Sequence, residues 1–336
     1  MLATCCIAHA AEAAATYETT LARVRAAGVL RCGIDVEEAE YTTSDDHGNR
    51  EAFDADLCRA VAIAVLGGDA QATVTRYPDD AAAMQGLTSG EVEIVASLSD
   101  DFTHAVGKHL AFTRPVLWDG VGFLAPTGST VTRARQLSGK KICFIAETVV
   151  EESVRAWFAR EHLEFVPFPF QEEGEMQAAF ATGNCGALAG DRTRMAQDRA
   201  AMERHKRPVR LLPETISKDP LAAAVREGDT QWAAIAGWVI EALIQAEESG
   251  VTQANVKAMQ ARAASDPTLR FLLGGSQQVG AALGLDDDWV ARMIAATGNY
   301  GEIYERDLGN GSPLKLPRGE NHLRIHGGEL EALAFK

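Results

Sequence analysis

What this 336-residue chain lacks narrows it before any motif is considered. Positive charge is short: 32 Lys and Arg against 47 Asp and Glu leave a formal charge of −15. A nucleic-acid phosphate surface needs clustered Lys and Arg, so the balance argues against nucleic acid as a partner and for a soluble chain with an acidic skin. Long apolar runs are missing too. The best candidate, "WAAIAGWVIEALIQA", is interrupted by Glu241 and then turns polar, short of the roughly 20 apolar residues that a membrane span requires. No two cysteines stand at C-x-x-C spacing, and neither a metal nor a cofactor is expected.

Charge is also absent from the opening residues. "MLATCCIAHAAEAAA" is small and apolar, carries no charge before Glu12 and offers an Ala-x-Ala site at Ala8-His9-Ala10. Residues 1–16 therefore read as a secretory signal, short and without the usual basic start, and the mature chain is expected to be exported. If Cys5 and Cys6 leave with it, Cys32, Cys58, Cys143 and Cys185 remain. An even count in an exported protein suggests disulfides. Cys32 lies in the strand-like "GVLRCGID" and Cys58 in the helix-like "DADLCRAVAIAVLG" that follows it, while Cys143 and Cys185 stand at the edges of two candidate strands. Pairing 32 with 58 and 143 with 185 is the simplest topology, with buried free thiols as the alternative.

What is present is an alternation of strands and helices. Residues 28 to 99 read as "VLRCGID", a helix from 54 to 67, "QATVTRYP", the helix "DDAAAMQGLTSG" and "VEIVASLS". That is a doubly wound βαβαβ unit with right-handed crossovers, its second helix started by Asp79 or Asp80 and stopped by Gly90. Residues 140 to 191 repeat the scheme with "KKICFIA", "TVVEESVRAWFAREH", "EFVPFPF", "EEGEMQAAFATGN" and "GALAGD". An amphipathic helix from 229 to 248 follows, with Trp232, Ile235, Trp238, Val239, Leu243 and Ile244 on one face. Two α/β lobes joined by two crossings leave a cleft at the carboxyl ends of both sheets, where ligands bind in such folds. The expected lobes are 17–116 with 222–336, and 117–221.

The segments "RCGID", "FDADLCRAVAIAVLG", "GLTSGEVEI", "PETISKDPLAAAVREGDTQW", "TQANV" and "GNYGEIYERDLGNGSPLKLPRG" give the chain a resemblance to a known family. It resembles the periplasmic solute-binding proteins of polar amino-acid ABC transporters, general L-amino-acid binding branch, over roughly residues 19 to 330. The resemblance implies a type II periplasmic-binding-protein-like fold with a hinge and an interlobe cleft, and the two disulfides named above. It also implies a monomer in the periplasm that binds an amino acid or related amine without transforming it and hands it to a membrane permease. An orphan or sensory binding protein is the alternative, with a dehydratase-like enzyme on the same fold a remoter one.

Carried over residue by residue, the resemblance points to a modified cleft. Asp191, ending "ALAGD", stands where the family holds the ligand's ammonium, and Ser97 and Ser99 stand where small polar groups flank it. Asp35 matches a position where binders of basic amino acids place an acid. Where the family holds the α-carboxylate with an arginine this chain has His104, and the supporting Gly-Thr-Thr turn becomes Glu147, Thr148 and Val149. Glu38 replaces the usual aromatic, with Tyr41 nearby. An imidazole is not a permanent cation and Glu147 would repel a carboxylate, so the ligand is expected to carry more positive than negative charge.

Overall fold

The computed structural model describes residues 19–35, 50–274 and 279–335. The expected signal, Glu38 and Tyr41 lie outside them. In chain order the strands are β1 (Leu30–Asp35), β2 (Ala72–Tyr77), β3 (Ile94–Ser99), β4 (Leu110–Asp119), β5 (Val121–Pro126), β6 (Lys141–Ile145), β7 (Val166–Phe170), β8 (Ala187–Asp191), β9 (Val209–Leu211) and β10 (Asp219–Arg226). They form two five-stranded sheets, ordered β2-β1-β3-β10-β4 and β7-β6-β8-β5-β9. In each, three parallel strands are extended by an antiparallel one: β10 against β3, and β5 against β8. The second sheet thus repeats the order of the first.

The helix α1 (Thr20–Ala27) precedes β1, and α2 (Arg50–Leu66) and α3 (Asp80–Ser89) are the crossover helices. The Asp79 side chain accepts from the Ala82 amide at 2.7 Å, and Gly90 ends α3 at φ 83, its amide donating to the Gly86 and Leu87 carbonyls. β3 is buried along nearly its whole length, as a central strand covered on both faces should be. A short helix that the sequence reading passed over, α4 (Phe102–Gly107), follows β3. The second lobe adds α5 (Val149–Arg160), α6 (Glu173–Ala181) and α7 (Arg192–Arg204); the chain then finishes with α8 (Thr230–Glu248), α9 (Val256–Ala263), α10 (Trp289–Thr297) and α11 (Tyr300–Asp307).

Each sheet has its own core. Around the first, α8 buries Trp232, Ile235, Val239, Leu243 and Ile244, and the Trp232 indole donates to the Glu93 carbonyl at 2.9 Å. Trp238, expected on the same face, is only partly buried and meets Phe335 edge-on at 5.0 Å. The second core gathers Phe123, Phe144, Trp157 and Phe158. After α11 the chain lies back over the crossing. Asn321 brackets the Trp118 backbone, accepting from its amide at 2.6 Å and donating to its carbonyl at 2.8 Å. Arg318 pairs in bidentate fashion with Glu247 on α8.

Both cysteine pairs are joined, with Cα atoms 6.0 Å apart for Cys32 and Cys58 and 5.8 Å for Cys143 and Cys185. The enclosed loops span 26 and 42 residues, for which chain entropy gives about 3.5 and 4 kcal/mol of stabilisation. Non-reducing peptide mapping should recover both links, and reduction should lower the melting temperature; four free thiols in exported material would overturn the pairing.

A second prediction comes from Asp307, which is 4% exposed and faces Asp56 on α2 with Arg306 between them. Burial, then the charge of Asp56, pushes its carboxyl up to about 7. The folded chain therefore keeps a proton that the unfolded chain releases near 3.8. Stability should fall as pH rises from about 4 to about 7. In thermal melts Asp307→Asn should match the parent at pH 4 and melt a few degrees higher at pH 8; equal melting at both pH values would contradict it.

Candidate ligand cleft

The carboxyl ends of β1 and β3 carry the first lobe's polar groups. Asp35, the last residue of β1, is 7% exposed. Ser97 turns into the core: its hydroxyl donates to the Asp54 carboxylate, 2.9 Å from either oxygen, and both residues are buried. Ser99 closes β3 half-buried. Beyond it the Asp100 amide donates to the Pro220 carbonyl at 2.8 Å, which ties the start of the polar run to β10. Burial, then the neighbouring Asp101, raises the Asp100 carboxyl above its ordinary range.

Asp101 caps α4 by accepting the His104 amide at 2.9 Å, and its other oxygen lies 2.9 Å from His104 Nδ1. That nitrogen is also 3.1 Å from the Ser99 carbonyl. With two acceptors facing Nδ1, the ring proton is assigned there. His104 is thus oriented from both sides of the β3-α4 turn. On the same helix Phe102 and Val106, four residues apart, are 81% and 65% exposed, an apolar ridge beside an acidic turn.

The second lobe presents the ends of β6 and β8. The turn after β6 places Glu147 at φ 61, the left-handed region that favours glycine. This explains in physical terms why a Gly-Thr-Thr turn would begin with glycine there. Glu147 is exposed, and its amide donates to Glu151 Oε2 at 2.9 Å. Thr148 caps α5: its hydroxyl donates to the Ile145 carbonyl at 2.9 Å and accepts from the Glu151 amide. Asp191 ends β8 at the N-cap of α7, yet its side chain makes no capping bond. The expected site residues within the described chain therefore lie at or just beyond strand ends, except His104, which stands in α4, and Ser97, whose hydroxyl faces the core. His322 and His326 stand at H-x-x-x-H spacing, but among the described residues no group of three or more potential metal ligands gathers.

Comparison with known proteins follows the same architecture. No protein-family profile matches the chain. It is 38% identical to the general L-amino acid-binding periplasmic protein AapJ of Rhizobium johnstonii, over 95% of this chain and 93% of that one. To the putative amino-acid ABC transporter-binding protein YhdW of Escherichia coli it is 34% identical, over 96% and 93%. Among solved structures, an ABC transporter periplasmic binding protein from Brucella ovis with glutathione bound superposes with a TM-score of 0.79 at 34% identity, covering 95% of this chain and all of that one.

One residue of the site region escaped the sequence reading. Asp119, the last residue of β4, is 3% exposed and reaches from the first sheet to the start of α7 in the second lobe. Its Oδ1 accepts from the amides of Gly120 at 2.8 Å and Arg192 at 3.0 Å; its Oδ2 accepts from the Thr193 amide at 3.3 Å and from the Thr193 hydroxyl. It takes up the helix-start donors that Asp191 leaves. The only sequence signal was an acid immediately before a glycine at the crossing. Asp119→Ala would leave buried donors without an acceptor, so chemical denaturation should show a loss of roughly 2 to 4 kcal/mol, and Asp119→Asn a smaller one. A change within about 0.5 kcal/mol for the alanine variant would refute this role.

Proposed function

The chain belongs to the amino-acid-binding periplasmic proteins of ABC transporters, and from that premise we propose that it captures an amino acid or a related amine between its lobes and delivers it to a membrane permease. In this reading it is a monomeric binding protein that transforms nothing and is exported behind residues 1–16. The lobes divide at 117–221, with 17–116 and 222–336 forming the other half.

The observation that carries the reading is that both sheets carry acids at the carboxyl ends of their strands: Asp35 ends β1, Asp100 and Asp101 follow β3, and Asp191 ends β8. An ammonium group suits that field, and Asp191 is assigned to hold it. The facing positions supply no permanent cation, since His104 is engaged with Asp101 and Ser99 while Glu147 is exposed at the second-lobe turn. Cationic or blocked ligands therefore suit this cleft better than acidic amino acids do. Glutathione, bound by the Brucella ovis relative, also presents a free α-ammonium, so a carboxylate anchor serves amino acids and short peptides alike. Glu38, Tyr41, Ser99 and Thr148 complete the proposed walls.

Calorimetry against amino acids, amino-acid amides, diamines and short peptides including glutathione tests the reading. At least one amine should bind saturably, and Asp191→Asn should weaken it by roughly 30-fold, about 2 kcal/mol. Because the Asp100 carboxyl is raised, the attraction exists above its shifted pKa and is lost as pH falls through it, so cation affinity should decline at a pH above the usual carboxylate range. Replacing His104 with Arg together with Glu147→Gly should move preference towards ordinary α-amino acids. Tight binding of glutamate with no response to any cationic compound would sink the charge assignment, and turnover of a bound compound would sink the binding-protein reading.

A further inference from the structure

We propose that the hinge carries a second binding site, for a small carboxylate, separate from the interlobe cleft. A cavity of about 350 Å³ lies where the strand crossings meet the C-terminal segment, with Trp118, Asp119, Arg192, Thr215, Arg318 and Glu320 among its walls. That volume falls in the range of small-molecule pockets. Asp35, Ser99, His104, Glu147 and Asp191 take no part in lining it.

The walls offer hydrogen-bond donors that the protein itself does not satisfy. Arg192, the first residue of α7, donates through Nη1 to the Leu212 carbonyl at 2.9 Å and the Glu214 carbonyl at 3.2 Å. Its stem lies over Gly122, where a Cβ would come 2.9 Å from Arg192 Cγ, so the side chain has a fixed seat. Among the described residues neither Nε nor Nη2 meets an acceptor, and no carboxylate lies within ion-pairing distance of the guanidinium. Burial lowers its pKa, and the nearby charges of Asp119, Glu320 and Glu214 only partly offset it. The Trp118 indole N–H and the Thr215 hydroxyl likewise find no acceptor among the described residues.

The other charged groups lining the cavity are mostly engaged. Arg318 is spent on Glu247 and the Asn321 carbonyl, and Asp119 on the start of α7. Glu320 is exposed at the rim. A carboxylate fits what is left: the planar Nε and Nη2 edge of Arg192 takes both oxygens, and Trp118 and Thr215 donate to the remaining lone pairs. Trp118 belongs to β4 and Arg192 to α7, on opposite sides of Gly120. A ligand held by both spans the pivot, so its affinity depends on the hinge angle. By linkage its occupancy changes affinity in the cleft, and the cleft ligand changes its affinity by the same factor.

The test uses the full mature chain labelled with ¹⁵N and titrated with succinate and, separately, benzoate. The indole N–H resonance assigned to Trp118 through Trp118→Phe should shift saturably with a dissociation constant below about 1 mM. Arg192→Gln should weaken this at least about 10-fold and Thr215→Val by about 3-fold. Thermal melting shows which variants are folded, and if Arg192→Gln is not, Thr215→Val decides. No saturable shift of the Trp118 indole up to about 20 mM of either compound overturns the proposal. So does saturable binding that the folded Arg192→Gln and Thr215→Val variants leave intact, because the carboxylate then sits elsewhere.

Discussion

The two halves of this molecule are held in register by one buried carboxylate and one glycine. Asp119 ends the last strand of the first sheet, and its four hydrogen bonds fix Gly120 and the opening turn of α7. Gly120, at φ 143, is the single residue between β4 and β5; a Cβ there would stand 2.5 Å from the Ser217 carbonyl oxygen on the returning crossing. The crossings are themselves stitched together, the Val121 amide donating to the Ser217 hydroxyl at 2.9 Å and the Ile216 amide to the Val121 carbonyl at 2.8 Å. Any side chain at 120 would force the crossings apart. Any loss at 119 would release the helix start beside Asp191.

In the proposed reading, this constraint decides how the acids at the strand ends work. A carboxylate on a loose loop gains little from an approaching cation, because ordering it cancels much of the attraction. Here the acids sit at strand ends whose backbones are tied down: Asp100 by Pro220, Asp101 by its cap on α4, Asp191 by the α7 start that Asp119 secures. The repulsion between Asp100 and Asp101 is therefore preorganised. Asp100 already shows its effect in a carboxyl raised by burial and by Asp101. In the proposed reading, a cation bound beside them relieves that repulsion and gains attraction in the same step.

How much of this was legible in the sequence follows from the range of each interaction. Hydrophobic period and caps act within one element, and they placed the strands and helices of both βαβ units, including the Asp79 start and the Gly90 stop of α3. The Cys32–Cys58 pairing was legible because a strand and its following helix must pack together. By contrast α4 is only six residues long and exposes Phe102 and Val106, so it has no buried apolar face to betray it. The inward turn of Ser97 depends on Asp54 lying opposite, 43 positions away in the chain. Asp119 was missed for the same reason, since its partners on α7 are 73 and 74 positions distant. The resemblance located the strand-end residues, and it had nothing to say about which of them face inward.

The C-terminal segment adds the last constraint. Arg199, in the middle of α7, donates to the carbonyls of Leu314 and Lys315, while Asn321 grips Trp118 and Arg318 is anchored to Glu247 on α8. The helix that starts beside Asp191 is therefore held at its beginning by β4 and along its length by a segment rooted on the first lobe. Sliding the second lobe as a whole would break both sets of bonds together, at a cost of several hydrogen bonds. A rotation about Gly120 leaves the Asp119 contacts near the axis almost undisturbed and loads the Arg199 contacts and the packing of Ala196 and Ala200 against the first core farther out. Hinge bending is thus the cheapest relative motion of the lobes, and its amplitude is limited by how far two carbonyls at 314 and 315 can follow one guanidinium.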